Sequence, residues 1–186
     1  MRTSPDRHRT ARRHLLARGL GGLAGLGVGP LALTTLGGAA TAAAPEVPLP
    51  ALGSRPVLPA MPLLDGGTWQ PGDAAGQVLV LYWWASWCPF CAVQTPLIEA
   101  LWRAHRSRGL AVLGLSIDRK PEDALTHRRA KGHAFPSAWV SPDLARQLPK
   151  PRGLPVTVVL GRDGRVVMAE AGQLFPEDIE AIATRL

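Results

Sequence analysis

Cys88 and Cys91 are the only thiols in this 186-residue chain, and they stand two residues apart in Trp87-Cys-Pro-Phe-Cys91, just after the apolar run Val78-Leu-Val-Leu-Tyr-Trp-Trp84. A strand-forming run followed by a helical pattern from Pro89 puts the pair at a strand-to-helix junction. Cys88 then lies at a helix N-terminus, where unpaired backbone N–H groups and the positive end of the helix dipole favour a thiolate over a thiol. It is expected to be the attacking sulfur. Cys91, one turn later on the same face, is close enough to close a disulfide and is shielded by the helix, which suits it to resolve a mixed disulfide. Pro89 fits because a first-turn position needs no N–H. The chemistry expected is thiol–disulfide exchange, with no cofactor beyond the Cys88–Cys91 pair itself.

Other uses of two cysteines fit less well. A purely structural disulfide would close a loop too short to constrain the unfolded chain. A zinc site calls for about four ligands, and His105, His127 and His133 show no ligand spacing relative to the pair, so no metal site is expected. Soft thiolates could bind Cu(I) with a distal His. Copper handling is the alternative from a different functional class.

The elements that must hold the pair can be placed in order. Pro62 to Trp69, with Gly66-Gly67, reads as a short hairpin, and Val78 to Trp84 as a buried central strand. A helix runs from Pro89 to about Arg108, with an apolar stripe of Val93, Leu97, Ile98, Leu101 and Trp102 and a kink at Pro96. Arg103, Arg106 and Arg108 read as its solvated face. Leu110 to Ile117 is a second buried strand, Pro121 to Lys131 a polar surface helix, Ala138 to Val140 a short strand and Pro142 to Leu148 a short helix. Val156 to Leu160 and Arg165 to Ala171 pair across Gly161-Arg-Asp-Gly164, and a last helix covers Pro176 to Arg185. This order makes an α/β domain with a central mixed sheet flanked by helices.

The N-terminus bears on location. Residues 1–18 carry six arginines against one Asp, and Gly19 to Pro45 has no ionisable side chain. That pattern predicts an export signal, or a membrane anchor if uncut, over residues 1–42. Arg12-Arg13-His-Leu-Leu16 is similar to a twin-arginine signal, with an ordinary secretory signal as the other route, and Ala40-Thr41-Ala42 offers a cleavage site. The domain is expected outside the cytoplasm, in the periplasm or on the outer face of the cytoplasmic membrane. The whole chain has a formal charge of +7, but residues 43–186 keep 15 of the 21 basic and 13 of the 14 acidic side chains. With no basic patch interleaved with aromatics, nucleic acid is not an expected partner. Residues 43–61 are Pro-rich and predict an extended, semi-rigid linker ahead of a domain over 62–186.

Three motifs in order resemble the thioredoxin superfamily, and within it the exported TlpA-like branch that includes cytochrome c maturation reductases. Trp84-Ala-Ser-Trp87-Cys-Pro-Phe-Cys91 is similar to W-A-x-W-C-x-x-C, Gly153-Leu154-Pro155-Val156-Thr157 to G-x-P-x-T, and Leu160 to Val166 to the turn and strand that follow. The resemblance implies a thioredoxin-like fold with an N-terminal hairpin and a central insertion. It also implies a cis Pro155 beside the cysteines and a Leu154 backbone able to pair with an extended client segment. Trp87 would cover the cysteines and shape the docking surface. The implied partners are disulfide-containing exported proteins and a membrane electron donor of a thiol-reducing pathway.

Some positions depart from the pattern. Where thioredoxins carry a buried carboxylate six residues before the first cysteine this chain has Tyr82, and where many TlpA-like proteins carry Glu three residues after the second it has Gln94. The usual proton acceptor for Cys91 is therefore missing, which leaves the role to water or a partner's side chain, while Tyr82 could still donate a hydrogen bond to a sulfur. Phe90 cannot stabilise a thiolate as a His there would, so Cys88 is expected to be less acidic, and the couple more reducing, than in strongly oxidising relatives. Val156 in place of Glu departs from the cytochrome c reductases. The function expected is an extracytoplasmic dithiol reductase of protein disulfides, with the same dithiol working as an oxidase as the opposite poise. A peroxidase is disfavoured because such enzymes resemble T-x-x-C and this chain has Ala85-Ser-Trp-Cys88.

Overall fold

A computed structural model describes residues 46–186, so the leader expected over residues 1–42 lies outside the described residues. Among those described, no helix is long and apolar enough to cross a membrane.

The continuous apolar run expected at Val78 forms β3 (Val78–Trp84), and all seven of its residues are buried. A strand buried on both faces needs apolar residues at every position. Here Val78, Val80, Tyr82 and Trp84 enter one core while Leu79, Leu81 and Trp83 enter the other. β3 is the centre of a five-stranded sheet of order β5-β4-β3-β6-β7, with β4 at Leu110–Ser116, β5 at Ser137–Trp139, β6 at Val156–Leu160 and β7 at Val166–Ala171. β3, β4 and β5 are parallel, β6 runs antiparallel to β3, and β7 antiparallel to β6. Helices α1 (Pro89–His105), α2 (Pro121–Lys131) and α4 (Pro176–Ala183) send Ile98, Ala124 and Ile182 into the first core. The hairpin β1–β2 (Met61–Pro62, Thr68–Trp69) and α3 (Pro142–Gln147) cover the second with Met61, Trp69 and Leu144.

The long connections follow the expected order closely, but three local readings change. Val93 is 55% exposed, and the buried face of α1 is Cys91, Gln94, Thr95, Ile98, Glu99 and Leu101. Polar side chains sit there because each finds a partner: Glu99 accepts from the N–H groups of Ala134 and Phe135. The polar helix α2 buries Arg128, which pairs with Asp65 and donates to Phe135 O at 2.6 Å. Residues 46–60 have no regular secondary structure, as a Pro-rich linker should, yet they do not stand clear of the domain. Gly53 N–H donates to Val166 O at 2.8 Å and Val166 N–H to Ser54 O at 2.9 Å, while Leu49 and Leu58 pack on the second core. The apolar residues between the prolines have buried surface to gain by docking, which proline content alone does not reveal.

Candidate active site

Cys88 is the N-cap residue of α1, extended at φ −85° and ψ 115°, with Pro89 in the first turn. The two cysteines are joined in a disulfide across that turn, Cα to Cα 5.2 Å, and Cys88 Sγ accepts the N–H of Cys91 at 3.2 Å. A sulfur at this cap receives one of the otherwise unpaired first-turn donors. Both sulfurs belong to the core: Cys88 is 4% exposed and Cys91 1%. The expectation of a shielded Cys91 fits, but in the disulfide form Cys88 is almost as covered.

Around this closed pair the surface is apolar. Trp87 is 63% exposed and Phe90 58%, so Trp87 stands open beside the disulfide rather than filling a core. Trp87 lines a cavity of about 490 Å³ with Ser86, Ile117, Asp118, Arg119 and Asp123. The Leu154–Pro155 peptide is cis, and Leu154 packs on the core cluster that holds both cysteines. Among the described residues none pairs with the backbone N–H or C=O of Leu154. Lys150, half-buried, ties this loop together by donating to the carbonyls of Pro151 and Gly153 at 2.5 and 2.8 Å, and its burial lowers its pKa.

Tyr82 and Gln94 hold no base and no sulfur contact. The Tyr82 hydroxyl lies 3.0 Å from Thr95 Oγ1, and Thr95 in turn donates to Cys91 O at 2.6 Å, so Tyr82 is the donor of the pair. Burial pushes its phenol well above the ordinary value, against a smaller opposing effect of the Thr95 bond. The expected Tyr82–sulfur hydrogen bond is therefore corrected: Tyr82 supports the carbonyl of Cys91. Gln94 is fully buried, donating to Thr157 Oγ1 at 2.9 Å and accepting the N–H of Leu174 at 2.6 Å.

Asp118, just beyond β4, belongs to none of the motifs above. Its carboxylate, 4% exposed, accepts from Ser86 N–H at 3.1 and 3.2 Å, from Ser86 Oγ at 2.6 Å and from Ser116 Oγ at 2.8 Å. Its carbonyl accepts from Trp139 Nε1 at 2.7 Å. Its partners lie on other elements, so no local pattern marks it. Among the described residues no three His, Cys, Asp or Glu side chains converge as metal ligands would.

A model of the AhpC/TSA family matches residues 43–169. The chain is 23% identical over 126 residues to the thiol-disulfide oxidoreductase ResA of Bacillus thuringiensis, spanning 66% of this chain and 71% of that protein. It superposes on a Chlorobium tepidum protein described as a thiol:disulfide interchange protein DsbE with a TM-score of 0.63 and 26% identity, over 73% of this chain and 94% of that one. A thioredoxin-family thiol:disulfide interchange protein from the same organism superposes with a TM-score of 0.66 at 19% identity, over 73% and 97% of the two chains, a likeness of fold.

Proposed function

The chain belongs to the AhpC/TSA family, has the thioredoxin-like fold and is a thiol–disulfide oxidoreductase, and we propose that it works outside the cytoplasm as a reductase of disulfides in exported proteins. The observation that carries this reading is the Cys88–Cys91 pair closed at the head of α1, with the cis Leu154–Pro155 loop packed on the same cluster and the Leu154 backbone unpaired. An extended client segment pairs with that backbone, and the apolar faces of Trp87 and Phe90 receive its side chains.

In the working cycle the Cys88 thiolate attacks one sulfur of the client disulfide, forming a mixed disulfide and releasing the first client thiolate. Cys91, deprotonated, attacks Cys88 Sγ, releases the second client thiolate and closes the Cys88–Cys91 disulfide. Two electrons pass to the client, and the two protons lost by the cysteines end on its thiols. A membrane electron donor returns the pair to the dithiol. The arginine-rich leader supports export, with cleavage or anchoring as its outcome, and the apolar dipeptide Pro89-Phe90 supports the reducing direction because it offers the thiolate no charged partner.

Equilibration with glutathione tests the direction. A reduction potential near about −270 mV supports a reductase, whereas about −120 mV marks an oxidant and overturns the direction. Cys91→Ser identifies clients, since Cys88 then holds them as stable mixed disulfides.

A further inference from the structure

Asp118 carries a negative charge at the foot of the loop that presents Cys88. Ser86, which gives it both a backbone N–H and a hydroxyl, is two residues upstream of Cys88. The carboxylate draws this loop, after β3, onto the end of β4, where Ser116 donates to it. From β5 only Trp139 reaches the residue, through its carbonyl. All these partners are neutral. Among the described residues no Lys, Arg or His lies within ion-pair distance of the carboxylate. The charged groups around it are Arg119 and Asp123, which line the same cavity, and His127 on α2. Three neutral donors, the Ser86 N–H and the hydroxyls of Ser86 and Ser116, hold the carboxylate in place without cancelling its charge.

We propose that Asp118 is a positioning residue for Cys88, clamping the Ser86–Trp87 loop while its uncompensated charge opposes the thiolate that the head of α1 favours. This rests on the exchange reading above and adds to it a determinant of poise. A charge that disfavours the thiolate disfavours the reduced protein, so Asp118 makes the couple more reducing. His127 lies within reach of the same carboxylate: burial lowers its pKa, Lys131 lowers it further, and Asp118 opposes both.

The test is the pH profile of Cys88 alkylation in the reduced full chain, alongside the His127 titration and the reduction potential. In Asp118→Asn the half-point for Cys88 moves down by about half a pH unit, His127 titrates at lower pH, and the couple becomes more oxidising. In Ser86→Ala the carboxylate loses one donor and acts more strongly, so the Cys88 half-point moves up. A loosened loop without an electrostatic role would move both variants the same way, and that result, or an unmoved Asp118→Asn profile, overturns the proposal. Should Asp118→Asn not fold, Ser86→Ala decides: an upward shift supports the role, and no shift or a downward one overturns it. A wild-type protein that fails to accelerate reduction of insulin by dithiothreitol overturns the exchange reading; one that does so while the Asp118→Asn profile is unmoved overturns only the role of Asp118.

Discussion

Gln94 concentrates what side-chain chemistry at one position can do here. Its amide joins α1 to Thr157 on β6 and to the N–H of Leu174, and it sits where many TlpA-like proteins would hold a carboxylate. In Gln94→Glu one oxygen keeps the Leu174 bond, the Thr157 hydroxyl turns to donate to the other, and burial raises the pKa of the new acid. Resolution of the mixed disulfide by Cys91 should then speed up in stopped-flow exchange, while chemical denaturation should show a loss of about 1–3 kcal/mol at neutral pH from the buried charge. An unchanged resolution rate would show that a carboxylate at this site does not take the Cys91 proton. The cysteine pair at the head of α1 could be read directly from residue types and spacing, because a cap position and a turn of helix are local. Asp118 could not: Ser86 lies 32 residues away along the chain, and only strand pairing brings the two together.

At the level of elements, a loop and a strand each depend on one residue. Lys150 holds the cis-proline loop through two carbonyls. Lys150→Met removes both bonds from the loop that we propose meets the client, so the KM for a peptide disulfide should rise several-fold while the alkylation profile of Cys88 stays in place. A matching change in both measurements would place Lys150 in the chemistry instead. On β4, Gly114 has no room for a side chain: an added Cβ would collide with Ser137 Oγ and with the Phe135 ring and come within 3.1 Å of Trp84 Nε1. Gly114→Ala should cost about 1–3 kcal/mol in chemical denaturation, as overpacking does, and a neutral result would mean that Phe135 swings away freely. Nearly every strand and helix was visible in the period of its apolar residues. The face of α1 was not, because Gln94, Thr95 and Glu99 are buried against polar partners that no periodicity records.

Across the whole molecule, a chain of rings leaves the core at buried Trp84, passes through half-buried His127 and His133 and returns to buried Phe135: Trp84 to His127 at 5.7 Å, His127 to His133 at 6.1 Å and His133 to Phe135 at 6.3 Å. Burial lowers the pKa of both histidines below the ordinary 6.5, with Lys131 adding to the effect on each and Asp118 and Glu99 opposing it. The unfolded chain therefore binds their protons more readily than the folded one. Their contribution to stability is complete above about 6.5 and is lost as pH falls from there through the lower folded values. The Tm should drop from pH 7 to pH 5, and a His127→Gln/His133→Gln variant should drop less; equal drops would rule the pair out as the cause. The amino-acid sequence alone determined the Cys88–Cys91 pair and the order of strands and helices, because caps, alternation and turn residues act over a few neighbours, whereas the cis Pro155 was legible only through its resemblance to G-x-P-x-T. Tertiary structure decided the rest: that Tyr82 serves the Cys91 carbonyl through Thr95, that residues 46–60 dock on the sheet and that Asp118 holds the active-site loop. Each of those joins groups far apart in the chain, and hydrogen bonds are short enough to exist only once the sheet has brought such groups within about 3 Å.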